Sequence, residues 1–87
     1  MSWTVTFTST ARRGVKKLPE QVCDVLDALQ YDLENSGPVQ TEWANYGKIT
    51  GQRACHHCHL LRGRPTYVAV WRELSGNEIE VVVCWKS

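Results

Sequence analysis

Between Leu18 and Gly47 this 87-residue chain has no basic residue, and between Lys48 and Arg72 it has no acid. The formal net charge of +1 is therefore a balance of two opposite halves, not an even mixture. Charge distribution of this kind speaks to partners more than to fold. The first stretch holds Glu20, Asp24, Asp27, Asp32, Glu34 and Glu42. The second holds Lys48, Arg53, Arg62, Arg64, Arg72 and all three histidines, with Tyr67 and Trp71 interleaved. Bases interleaved with aromatics suit nucleic acid; acidic helices beside basic hairpins are the plainer account of the same feature. The sequence also lacks a long apolar run, which excludes a spanning helix of about 20 residues. No apolar stretch follows Met1, so no signal peptide and a cytoplasmic location are expected, and the four cysteines are expected as thiols. No methionine occurs beyond Met1. No internal repeat or low-complexity segment is present. The length predicts a single domain spanning 1–87 with a thin core, burying about 60–65% of the unfolded surface. Four Trp, three Tyr and one Phe enlarge that core.

Trp3 to Thr8 alternates, with Trp3, Val5 and Phe7 on one face and threonines on the other, which predicts a half-buried strand. Ser9 or Thr10 is placed to cap a short helix running towards Leu18, with Arg12, Arg13, Lys16 and Lys17 on its solvated side. Pro19 suits the first turn of a second helix. There, Leu18, Val22, Val25, Leu26, Leu29 and Leu33 form one apolar stripe, ended by Asn35-Ser36-Gly37-Pro38. From Val39 to Gln52 the pattern weakens; Trp43 and Tyr46 are expected under the sheet edge, with Gly47 and Gly51 in a loop. Period two returns in Cys55–Arg62, Thr66–Leu74 and Ile79–Trp85. They are separated by Gly63-Arg64-Pro65 and Ser75-Gly76-Asn77, which predicts antiparallel hairpins. The expected fold is α+β, in the order β-α-α-β-β-β. A twisted, mainly antiparallel sheet carries an N-terminal helical hairpin on one face.

The segment ACHHCHLLRGRP, residues 54–65, admits three chemistries. Cys55-x-x-Cys58-His59 spells a c-type haem attachment site, but a strand would point the two cysteines to opposite faces, and only Met1 offers a thioether. Cys55, Cys58, Cys84 and a histidine would make a zinc set, yet no second cysteine pair stands at matching spacing. Cys23, Cys58 and Cys84 also suit the role of small buried apolar residues. The third chemistry follows from alternation, which puts His57, His59 and Leu61 on one face and Cys58, Leu60 and Arg62 on the other. Two imidazoles about 7 Å apart along a strand can flank a phosphodiester as base and acid. Arg62 and Arg64 would then stabilise the pentavalent phosphate.

The run HCHLLRGRPTYVAVWREL, followed by NEIEVVVCW, resembles the C-terminal hairpins of the RelE/ParE toxin superfamily. It is most similar to the RelE-like cytotoxic translational repressors of type II toxin–antitoxin systems. WTVTFTSTARRGVKKLPEQV fits their opening strand and helical hairpin, so the resemblance covers nearly the whole chain. Gly63 to Trp71 is its most specific piece. The resemblance implies a microbial-RNase-like fold and a metal-independent endoribonuclease that cleaves ribosome-bound mRNA and inhibits translation, with no cofactor. It implies a cognate antitoxin, the ribosome and mRNA as partners, and no membrane. The strand bearing His57 and His59 corresponds to one that carries lysines in RelE, and Arg62 and Arg64 fall near arginines of its hairpin. On this reading His57, His59, Arg62 and Arg64 are catalytic, and Lys48, Arg53, Arg72 and Lys86 bind RNA. Relatives continue past the last strand with a segment bearing Gly, Thr, His and Tyr; here Trp85 or Lys86 would take its place. The alternatives are a ParE-like gyrase inhibitor and a non-catalytic interaction domain.

Overall fold

The threonines and aromatics at the N-terminus form β1 (Thr4–Phe7), with Thr4 and Thr6 exposed and Val5 and Phe7 turned to the core. The structure, a computed structural model, describes residues 2–49, 54–61 and 66–86, of which Trp85 and Lys86 as backbone only. Helix α1 spans Ser9–Val15. Its cap is Thr8, not Ser9 or Thr10. The Thr8 hydroxyl accepts from the Ala11 N–H at 3.1 Å and donates to the Val82 carbonyl at 3.1 Å, so one oxygen caps the helix and ties it to the sheet. The helix stops at Val15, short of Leu18. Lys17 and Leu18 bond back three residues, to Gly14 and Val15, and Pro19 disfavours helical backbone at Leu18. Pro19 itself stands at the N-cap of α2 (Glu20–Ser36), one position before the expected first turn. The predicted stripe is buried at Val22, Leu26, Leu29 and Leu33. Gly37 ends the helix at φ 91° and ψ −169°, a region open to glycine, and a side chain there would meet the Trp3 indole nitrogen at 2.9 Å.

Four further strands follow: β2 (Gly47–Lys48), β3 (Cys55–Leu61), β4 (Tyr67–Leu74) and β5 (Glu78–Lys86). They join β1 in a sheet of order β1-β5-β4-β3-β2, with β1 parallel to β5 and every other pair antiparallel. The mainly antiparallel sheet and both hairpins thus match expectation, while β2 adds a strand to the predicted order. Gly47, expected in a loop, pairs with His57, and Lys48 pairs with His56. A two-residue strand carries no period for a sequence pattern to reveal. The expected turn at Gly63-Arg64-Pro65 lies outside the described residues.

The core lies between the helices and one sheet face. Trp71 is fully buried there with Leu29, Leu33, Cys58, Ala69, Ile79, Val81 and Cys84. Its indole N–H donates to the Pro38 carbonyl at 3.0 Å, fastening the start of the 38–46 loop. Helix α1 lies so close to β5 that a side chain on Gly14 would strike the Cys84 carbonyl. Cys58 and Cys84 flank Ala69 from the neighbouring strands, and all four cysteines are free. Burial pushes both thiols up to about 12, and a neighbouring thiol adds to the shift: Cys84 for Cys58, Cys23 for Cys84. Among the described residues no helix is long and apolar enough to cross a membrane.

Two outcomes follow for stability. Helix propensity alone favours Gly14→Ala by about 1 kcal/mol, but the backbone collision dominates. The variant should lose about 2 kcal/mol or more and melt about 8 °C or more below the parent, as read by thermal unfolding. Raised thiol pKa values mean that, above the ordinary thiol range, the unfolded chain releases protons the folded chain keeps. Stability should therefore fall as pH climbs from the ordinary range towards about 12, by up to about 1.4 kcal/mol per pH unit per thiol. Denaturant titrations across that window should show a flatter slope in Cys58→Ala/Cys84→Ala.

Candidate nucleic-acid interface

Burial along β3 alternates without a break: Cys55, His57, His59 and Leu61 are half-buried, and His56, Cys58 and Leu60 are buried. Successive residues of a strand face opposite sides, so one seven-residue segment serves two surfaces. His57 and His59 share the face away from the helices. Val70 stands opposite His57, and Val68 opposite His59, giving the pair an apolar floor that Val83 extends on β5. The ring of His57 rests against Gly47, where a side-chain carbon would come within 3.1 Å of Nε2. The same alternation predicts Leu61 beside the histidines. Leu61 is half-buried like the histidines and also packs against the core, beside the irregularity in β3–β4 register between His59 and Leu61.

The basic residues divide. Arg72 pairs with Cys55 and so shares the histidine face, but its guanidinium is held by Glu80, with Nε 2.8 Å from Oε1. That neighbour cancels most of the cation's field. Lys48 is exposed at the rim, and its pairing with His56 puts it on the other face from His57. Arg53, Arg62 and Arg64 lie outside the described residues, as does the side chain of Lys86, whose backbone pairs with Tyr67.

The third histidine, assigned no role from sequence, is the most constrained. His56 is fully buried on the helix side, stacked on Trp71 with ring centroids 5.9 Å apart and planes 5° apart. Its Nδ1 lies 2.7 Å from the Tyr46 hydroxyl, and its Nε2 lies 2.8 Å from Glu73 Oε2. A carboxylate only accepts, so Nε2 carries the proton directed at Glu73, and Nδ1 shares a hydrogen bond with the Tyr46 hydroxyl. Burial, and then the Glu73 charge, push the Tyr46 pKa up, which keeps that hydroxyl protonated. Only parity with Cys58 hinted at this in the sequence; both partners come from other elements.

Cys55 and Cys58 face opposite sides of β3, so they cannot act as a shared pair towards one haem or metal in this backbone. Among the described residues no three His, Cys, Asp or Glu side chains are grouped to hold a metal ion. A cleft of 580 Å³ lies elsewhere, at the end of α2 and in the loop after it. Asp32, Gln40, Glu42 and Trp43 line it, and it belongs to the acidic half of the chain.

No family model and no curated protein matches the sequence. Solved structures do match in fold. The intact E. coli RelBE toxin–antitoxin complex aligns with a TM-score of 0.80 at 20% identity, over 99% of this chain and 98% of that chain. The E. coli toxin RelE in its free state, bearing two arginine-to-alanine changes, aligns at 0.78 and 20% identity, over 99% of this chain and 84% of that one. The Mycobacterium tuberculosis toxin–antitoxin complex RelBE2 aligns at 0.75 and 21% identity, over the whole of both chains. Two helices packed on one face of this five-stranded sheet give the chain the α+β fold of the RelE-like toxins.

Proposed function

We propose that the chain is the toxin of a type II toxin–antitoxin pair, a metal-independent endoribonuclease that cuts ribosome-bound mRNA in the cytoplasm and so blocks translation. The observation that carries this reading is the placement of His57 and His59 on one open sheet face within a RelE-like fold. Imidazole ordinarily titrates near neutrality, which lets one ring accept a proton while another donates. One histidine removes the proton from a 2′-hydroxyl as its oxygen attacks phosphorus. The other protonates the departing 5′-oxygen. The products are a 2′,3′-cyclic phosphate and a 5′-hydroxyl, and no redox partner or metal enters the balance.

Arg62 and Arg64, which follow β3 in the sequence, are assigned to the phosphate oxygens, where a guanidinium fork neutralises developing charge. Arg53, Arg72 and Lys86 are assigned to the RNA backbone and Lys48 to the rim, with Arg72 weakened by Glu80. Contacts of this kind make affinity fall with salt. The cognate partner is an antitoxin. Two of the structures sharing this fold are toxin–antitoxin complexes, which supports that assignment.

Primer extension on mRNA from cells expressing the protein should show cuts within the ribosomal A-site codon. His57→Ala or His59→Ala should each lower cutting by about 10²–10⁴-fold, with little change in folding, since both rings are outside the core. Undiminished cutting in the double variant would remove these histidines from the mechanism. Intact transcripts with gyrase-dependent DNA breaks would replace the nuclease reading with inhibition by contact.

A further inference from the structure

We infer that His56 is the positioning residue for His57, acting as a buried clasp that holds the β2 edge against the catalytic ring. This rests on the nuclease reading for its consequence, but not for its geometry. Strand β2 is two residues long and cannot hold its place by pairing alone. Two backbone bonds bracket it, from the Ile49 N–H to the Cys55 carbonyl at 2.9 Å and from the His59 N–H to the Ala44 carbonyl at 2.8 Å. Tyr46, just before β2, also packs against Trp71, with ring centroids 6.3 Å apart, and a further tie is the imidazole of His56. It shares a hydrogen bond with the Tyr46 hydroxyl at 2.7 Å on the β2 side and reaches Glu73, on β4, at 2.8 Å. The ring therefore bridges β4 and the β2 edge across the buried side of β3.

Adjacent residues then carry the effect through the sheet. Tyr46 precedes Gly47 as His56 precedes His57. Fixing the first member of each pair below the sheet fixes the second member at or above it. Gly47 and His57 are register partners, and the His57 ring lies against the glycine with no room for a side chain larger than hydrogen unless it shifts. An apolar residue at 56 would fill the same space without the cost of desolvating two nitrogens. What a satisfied polar ring adds is a defined geometry between three segments.

The test uses NMR on the full chain together with RNA-cleavage kinetics. Tyr46→Phe keeps the stacked ring and deletes one hydroxyl; His56→Leu removes the clasp; Gly47→Ala pushes the ring directly with the clasp intact. In the first two, the contact between the Gly47 α-protons and the His57 ring should weaken. Amide exchange at Ile49 and His59 should rise about tenfold or more, while Ala69 and Ile79 change less than about threefold. In Gly47→Ala the His57 ring signals should move with edge exchange unchanged. In all three, kcat should drop with KM little altered. An undisturbed His57–Gly47 contact in both clasp variants, or an equal rise in exchange across the core, would overturn the inference. Wild-type protein that leaves RNA intact would overturn the nuclease reading alone, since the ring contact is read without RNA.

Discussion

Alternation along Cys55–Leu61 is the constraint on which the rest depends. The strand must deliver His56, Cys58 and Leu60 to the helices while presenting His57 and His59 to the open face. A slip of one residue would bury two imidazoles and expose core apolar groups. Several interactions oppose such a slip. Cys58 fits beside Ala69 with no exposed surface, and Trp71 stacks on His56 while its indole is tied to Pro38. The fold thus fixes the register through its buried side, and the open side inherits the result.

The charge segregation of the sequence maps onto this division incompletely. Acids of α2 and the loop after it line their own cleft and engage local partners, such as Asp32 accepting from the Trp43 indole at 2.9 Å. Among the described residues, the histidine face is less uniformly basic than the run from Lys48 to Arg72 suggests. Arg72 is matched by Glu80, and Lys48 stands on the far side of the rim.

Elements with a sustained period were legible in the sequence. The threonine-aromatic alternation of β1, the leucine stripe of α2 and the two C-terminal hairpins each repeat often enough to identify their type. Features set by tertiary contact were not. Thr8 is the cap of α1 because its hydroxyl also reaches Val82, a residue 74 positions away. The β3–β4 register shift between His59 and Leu61 is a feature that the alternating pattern cannot encode. His56 was invisible as a special residue because Tyr46 and Glu73 meet it only in the folded chain. The pairing of His57 with His59 was readable, since it needs only strand parity.

Carbethoxylation by diethyl pyrocarbonate at neutral pH, mapped residue by residue by mass spectrometry, tests the two-faced strand most directly. His57 and His59 should react at least about tenfold faster than His56, and a short RNA made uncleavable by a 2′-deoxy substitution should protect those two together. Equal reactivity of His56, or RNA that shields neither open-face ring, would contradict the account.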